Sequence, residues 1–180
     1  MRYNREWAVE AVKKGGHVLV FYGHVQQGET VDASCLSQWF PCSFAVEGNN
    51  YTTAEQYMMA EKARLFGDEE IRRQILREAG PMACKRLGRK VSNFEKEVWD
   101  ARCGEIVVKG NVAKFSQNSE LKAFLLSTGN AILAEGAPRD KIWGIGMGKS
   151  NPLAQDPALW RGRNLLGFAL MEVRDILRES

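Results

Sequence analysis

At least six stretches of the chain carry apolar residues at helical spacing, whereas its β-branched and aromatic runs are few and short. Residues 4 to 14 predict an amphipathic helix with Trp7, Val9 and Val12 apolar, stopped by Gly15-Gly16. Val18 to Tyr22 predicts a strand, and Gly23 to Ala33 a polar loop. Ser43 to Val46 and Tyr51 flank Gly48-Asn49-Asn50, a hairpin turn that delivers the chain into the next helix. That helix spans Thr52 to Asp68: Thr52 or Thr53 caps it, no Gly or Pro interrupts Ala54 to Phe66, and Gly67-Asp68 closes it. Asp68 can cap a further helix to about Ala79, and Pro81 opens a shorter one through Leu87. Ser92 with Glu95 has capping-box spacing and starts a helix carrying Phe94, Val98 and Trp99 through Ile106 to Val108, which Gly110 bends or breaks. Ser119 caps a helix from Glu120 to Ser127. Ile132 to Glu135 reads as a strand, and Pro138 to Trp143 as a turn entering a second one. The last helix, Arg163 to about Arg178, places Leu166, Leu170, Val173 and Leu177 on one face.

Helices therefore dominate, and the repeated strand–helix alternation of a doubly wound sheet is missing. The expected fold is a single α+β domain, mostly helical around a small sheet, with the Thr53 to Phe66 helix along the floor of a cleft. A length of 180 residues suits one domain. A net charge of +3 does not demand a polyanionic partner. No apolar run approaches a membrane span, and the charged N-terminus lacks a signal-peptide core, so a cytoplasmic protein with no membrane partner is expected. Cys35, Cys42, Cys84 and Cys103 form no CxxC pair and, with only His17 and His24, offer no metal spacing; they read as free thiols, mostly buried. Neither a metal nor another cofactor is expected. In Trp143 to Asn151 a Walker loop fails because Trp143 stands where a glycine is required, and Gly144, Gly146 and Gly148 give GxGxG rather than GxGxxG. A flexible loop remains, whose amides and Lys149 could approach a phosphate.

Candidate chemistry concentrates on the helix after the hairpin. Glu55 and Lys62 are seven positions apart, hence roughly 20° apart around the axis and about 10.5 Å along it, with Met59 between them. Such a stripe lines a cleft as naturally as a solvated face. The structural alternatives are that Glu55 completes a capping box with Thr52 and that Lys62 reaches water beside Glu61. Elsewhere Asp140 is a second candidate acid or base, Trp99 and Trp143 are stacking platforms, and Arg89, Lys149 and Arg161 are candidate phosphate binders. Asp140 can equally be a turn residue after Pro138, and Trp99 a core residue. This inventory suits a phosphorylated ribosyl ligand with an aromatic base, and residue types alone do not choose between hydrolysing and holding it.

Glu55-Gln56-Tyr57-Met58-Met59 with Ala60-Glu61-Lys62-Ala63 resembles the signature helix of the NADAR (YbiA-like) family. The similarity continues in order through Lys85 to Arg89, Trp99-Asp100, Lys114 to Asn118, Asp140 to Gly144 and Arg161 to Gly167, covering roughly residues 35 to 178. It implies a YbiA-like α+β domain over residues 35–180, preceded by an N-terminal helix and strand extension over 1–34. Cys35 to Phe40 matches a segment in which relatives show Leu-Ser-Asn before an aromatic pair; Gln38 stands at the Asn position and Trp39 in the pair, both implied substrate contacts. The resemblance implies an N-glycosidase, with Glu55, Lys62, Trp99 and Asp140 in the family's functional positions. Its implied substrates are ribosylamino-pyrimidine intermediates of riboflavin biosynthesis, cleaved to ribose 5-phosphate. The alternatives are removal of ADP-ribose from guanine in nucleic acid and a non-catalytic module binding ADP-ribose or NAD. Mechanistically, either a carboxylate stabilises the ribosyl cation or activates water, or Lys62 captures the carbon as a Schiff base.

Overall fold

The computed structural model describes residues 1–179. The described chain runs α1 (Arg5–Lys13), β1 (Val18–Phe21), β2 (Phe44–Val46), β3 (Asn49–Tyr51), α2 (Ala54–Leu65), α3 (Glu69–Arg77), α4 (Pro81–Gly88), α5 (Lys96–Ser116), α6 (Ser119–Ser127), β4 (Ile132–Glu135) and α7 (Leu165–Arg178), with short 3₁₀ turns between. It packs as two compact units, one formed by Gln38–Ser119 and the other by Met1–Ser37 with the chain from Glu120 onward. The expected small sheet is two separate strand pairs, β1 with β4 and β2 with β3.

In the unit built from both chain ends, β1 pairs parallel with β4, Val18 opposite Ile132 and Phe21 opposite Glu135. A two-stranded sheet leaves edge groups that must find partners. On β4 the buried Asn164 supplies them: its Nδ2 donates to Leu133 O at 2.9 Å, and its Oδ1 accepts from Glu135 N at 3.0 Å. Its left-handed backbone, φ 54°, turns the chain into α7. Helix α7 then lies so close to β4 that a Cβ on Gly167 would sit 2.1 Å from Leu133 O. The apolar stripe Leu166, Leu170, Val173 and Leu177 is buried as its spacing predicts.

No second strand follows Pro138. The Asp140 carboxylate takes the amides of Ile142 and Trp143 at 2.9 and 2.8 Å and folds the segment into a turn. The glycine-rich stretch after it is tied down on both sides rather than loose. Ile145 N donates to Glu135 O at 2.9 Å, Gly146 N to Asp140 O at 3.1 Å, and Ile145 O accepts from Arg161 N at 2.9 Å. The amides of Ile145 and Gly146 are therefore already used and do not point to a phosphate.

The other unit is organised around α2. Its hairpin turns at Glu47-Gly48, both with positive φ, which fits the two-residue turns whose twist matches that of paired strands. Asn49 and Asn50, expected in the turn, pair in β3 with Val46 and Ala45. Thr53 is the N-cap of α2, accepting from Gln56 N at 3.1 Å, while Gln56 Oε1 reaches back to Thr52 N at 2.8 Å. Gln56, not Glu55, is thus the capping partner. Its amide nitrogen also donates to Ile75 O at 3.0 Å and Glu78 O at 2.6 Å, so the same side chain secures the end of α3.

Nine of the twelve residues of α2 are buried, which requires neighbours on nearly every face. Helices α3, α4 and α5 provide them. Two glycines allow the approach: a Cβ on Gly88 would meet Met59 Sδ at 2.1 Å, and one on Gly110 would meet Tyr57 Cδ1 at 2.3 Å. Gly110 neither breaks nor ends its helix; α5 continues through it to Ser116 because Tyr57 packs against the bare backbone. The Ser92–Glu95 capping box does not form. Ser92 instead donates its amide and hydroxyl to Asp68 Oδ2, at 2.9 and 2.7 Å, and Glu95 is the N-cap without a side-chain bond. Tyr57 also meets Tyr51 edge-on at 5.1 Å, joining hairpin to helix.

Gly110→Ala tests this packing. Mid-helix alanine ordinarily stabilises by about 1 kcal/mol relative to glycine. Here the added methyl overlaps a buried ring, and overpacking of this kind costs about 1–3 kcal/mol, so a net loss of stability in urea unfolding is expected; a gain would contradict the packing.

Candidate active site

Burial of α2 puts its polar residues where solvent cannot hold them. Glu55 is 4% exposed, and its amide donates to Gln38 O at 2.9 Å. The cap is made by Thr53 with Gln56, so Glu55 is not its capping partner. One turn beyond Met59, Lys62 is half-buried and donates from Nζ to Gly88 O at 2.8 Å. It does not extend to water beside Glu61, which is held by Arg64 in an ion pair at 2.5 Å. Above the amine lie two rings, Phe94 at 4.3 Å and Trp99 at 5.7 Å from nitrogen to ring centre.

Three influences set the proton affinity of Lys62. Burial lowers it most, the nearby Arg89 guanidinium lowers it further, and the Glu55 carboxylate raises it, leaving the amine below the usual lysine value. An amine so placed is nearer its unprotonated, nucleophilic form than a surface lysine is. Arg89 itself is exposed at the end of α4.

Gln38 and Trp39 enter the same unit from its N-terminal side. Gln38 Oε1 accepts from Asn111 Nδ2 at 2.8 Å, and Asn111 Nδ2 also donates to Val107 O at 2.9 Å. Gln38 thereby ties the start of α2 to α5 through both its backbone and its side chain. Trp39 is half-buried with Lys85 Nζ 5.7 Å from its ring centre. Glu55, Lys62, Trp99 and Arg89 are thus brought into one electrostatic neighbourhood.

Asp140, Trp143, Lys149 and Arg161 belong to the unit built from both chain ends. The amides of Ile142 and Trp143 occupy Oδ1 of Asp140, the turn reading of that residue. Trp143 is half-buried, and Lys149 and Arg161 are exposed. Trp160 is a packing residue: 3% exposed, it donates from Nε1 to Ala154 O at 2.9 Å.

Sequence reasoning missed Phe94, Gly88 and Asn111. The Ser92–Glu95 spacing puts Phe94 on the face of a helix that in fact starts only at Lys96. Gly88 acts through its carbonyl, which no side-chain pattern reveals. The Gly110-Asn111 pair, two poor helix formers inside a long helical pattern, was the one available signal for Asn111.

A buried acid and a partly desolvated amine stand on one helix of an α+β scaffold, with aromatic rings over the amine, and together they make a candidate site. A model of the NADAR domain matches residues 20–178. The N-glycosidase R617 of Acanthamoeba polyphaga mimivirus is 44% identical over 145 residues, 78% of this chain and 85% of that protein. N-glycosidase YbiA of Escherichia coli (strain K12) is 36% identical over 146 residues, 81% of either chain. The NMR structure of E. coli YbiA matches with a TM-score of 0.72 at 31% identity, covering 90% of this chain and 85% of that one. A protein of Vibrio vulnificus (strain YJ016) named for riboflavin biosynthesis is 32% identical over 144 residues, 80% of this chain and 35% of that protein. The chain belongs to the NADAR family and has the α+β fold of YbiA, as its motifs implied. Among the described residues no helix is long and apolar enough to cross a membrane.

The Lys62 environment predicts a pH signature in stability. Its folded affinity lies below the value of 10.5 expected in the unfolded chain, so between the two the unfolded state binds more protons and stability rises with pH. Lys62→Met removes that rise. The unfolding free energy of the wild type minus that of the variant should therefore grow as the pH rises towards the ordinary lysine value of 10.5; a difference independent of pH would contradict the assignment.

Proposed function

We propose that this hydrolase of N-glycosyl bonds cleaves ribosylamino-pyrimidine 5-phosphates of the riboflavin route, releasing ribose 5-phosphate and the aminopyrimidine. The observation that carries the reading is the half-buried Lys62 amine, bonded to Gly88 O at 2.8 Å beneath the rings of Phe94 and Trp99, with burial and Arg89 lowering its proton affinity. The named N-glycosidases among its relatives support the bond type, and the riboflavin-named relative supports the substrate class.

In the proposed reaction a ribosylamine opens to its imine, and the lone pair of unprotonated Lys62 Nζ adds to the sugar carbon. The C=N π pair moves to the substrate nitrogen, which takes up a proton. Nζ gives up a proton and the substrate nitrogen takes up a second one; that nitrogen then leaves with its bonding pair as the neutral amine while the Nζ lone pair forms the iminium. Water adds to the iminium carbon, and collapse returns the lysine amine and the sugar aldehyde. Glu55 is the proposed carrier of protons in these steps, and its negative charge favours the cationic intermediate. Arg89 is the proposed contact for the 5-phosphate and Trp99 for the pyrimidine face.

Incubating the protein with 5-amino-6-(5-phosphoribosylamino)uracil tests the reading. Release of ribose 5-phosphate is expected, with a borohydride-trapped sugar adduct on the wild type and none on Lys62→Ala. Turnover with no adduct would contradict the lysine route in favour of direct attack by water. Activity confined to ADP-ribosylated guanine in DNA or RNA, or stable binding of ADP-ribose without turnover, would overturn the substrate assignment.

A further inference from the structure

Phe94 occupies an unusual position for a large apolar residue. It is 43% exposed, lies in the segment between α4 and α5, and is nearer to Lys62 Nζ than Trp99 is. The segment is not shaped by a side-chain cap on α5. It is pinned by Asp68, which accepts from both the amide and the hydroxyl of Ser92, and it turns at Asn93 through the left-handed region, φ 54°. Non-glycine residues adopt that conformation at a cost, and such positions concentrate where the geometry serves a site. The turn delivers the Phe94 ring against the edge of Phe66, 5.3 Å between centres, and over the lysine nitrogen. Two intramolecular devices thus hold an exposed ring at a chosen place.

We propose that Phe94 and Trp99 form a two-ring cage for positive charge at Lys62 Nζ, with Phe94 the closer and more influential wall. Aromatic faces carry negative quadrupole density and attract a cation placed over them. The charged groups acting on the same nitrogen are Arg89, which opposes a cation there, and Glu55, which favours one. Resting on the lysine reading above, the consequence for catalysis is direct. Nζ is cationic in the resting ammonium and cationic again in the iminium, and the rings favour both forms over the neutral amine. The cage thus offsets part of the desolvation that activates Lys62, and it acts on the intermediate when the substrate nitrogen departs.

The test uses the full chain with Phe94→Leu, which keeps an apolar side chain, and Phe94→Tyr, which keeps the ring. The Lys62 side chain is titrated by NMR of its ε-carbon, without substrate. Loss of a partly exposed cation–π contact should lower the Lys62 midpoint by about half a unit in Phe94→Leu, with Phe94→Tyr close to wild type. On the alkaline plateau, where the amine is unprotonated in each protein, kcat of Phe94→Leu should fall about two- to fivefold with KM little changed. An unmoved midpoint overturns the cage, and so does a raised KM without a midpoint shift, which would make Phe94 a substrate contact only. Borohydride trapping on the wild type separates the two claims: a lowered midpoint with no adduct supports the cage and rejects Lys62 as nucleophile.

Discussion

The burial of α2 on nearly all of its faces is the constraint on which the candidate site depends. An amphipathic helix with one wet face would leave Glu55 and Lys62 fully hydrated, and neither would differ from an ordinary surface pair. Gly88 and Gly110 prevent that by letting α4 and α5 approach the Met59 and Tyr57 side chains without intervening Cβ atoms. Each of these buried side chains contributes about 1.5–3 kcal/mol through the apolar area removed from water. The same approach brings the Gly88 carbonyl to hydrogen-bonding distance of Lys62. The packing of Met59 and the hydrogen bond of Lys62 are thus consequences of one close contact between helices.

Division of labour among neighbouring side chains follows from the cap. Because Thr53 is the N-cap, Gln56 is the residue that closes the first turn, and its amide serves α2 and α3 together. Glu55, one position earlier, turns inward instead of back over the helix end. An amide suits the capping position because it both accepts and donates. A carboxylate there would lack the hydrogens that Gln56 gives to Ile75 and Glu78.

The elements defined by strong periodicity were legible in the sequence: α7, with its four-residue apolar stripe, and β4, whose bounds match the expected Ile132 to Glu135. The α2 segment was legible as a helix capped by Thr52 or Thr53; Thr53 is the cap, and its partner is Gln56 rather than the Glu55 that capping-box spacing from Thr52 suggests. What was not legible depends on tertiary partners. Gly110 looked like a break because its local propensity is poor, and only the Tyr57 ring explains a continuous α5. Ser92 looked like a cap, but Asp68, twenty-four residues away, claims it. In the site, the Glu55–Lys62 stripe was visible from helical geometry alone, whereas the Phe94 wall required knowing where α5 begins.

The central claim, that the inward face of α2 carries the chemistry, is tested most directly by Glu55→Gln, measured for turnover and for cooperative unfolding in parallel. The change is nearly isosteric and leaves the Thr53–Gln56 cap intact. Glu55→Gln should give a folded protein whose turnover falls about a hundredfold or more, in the range associated with loss of a positioned acid–base group. A folded Glu55→Gln protein turning over at the wild-type rate would contradict the claim.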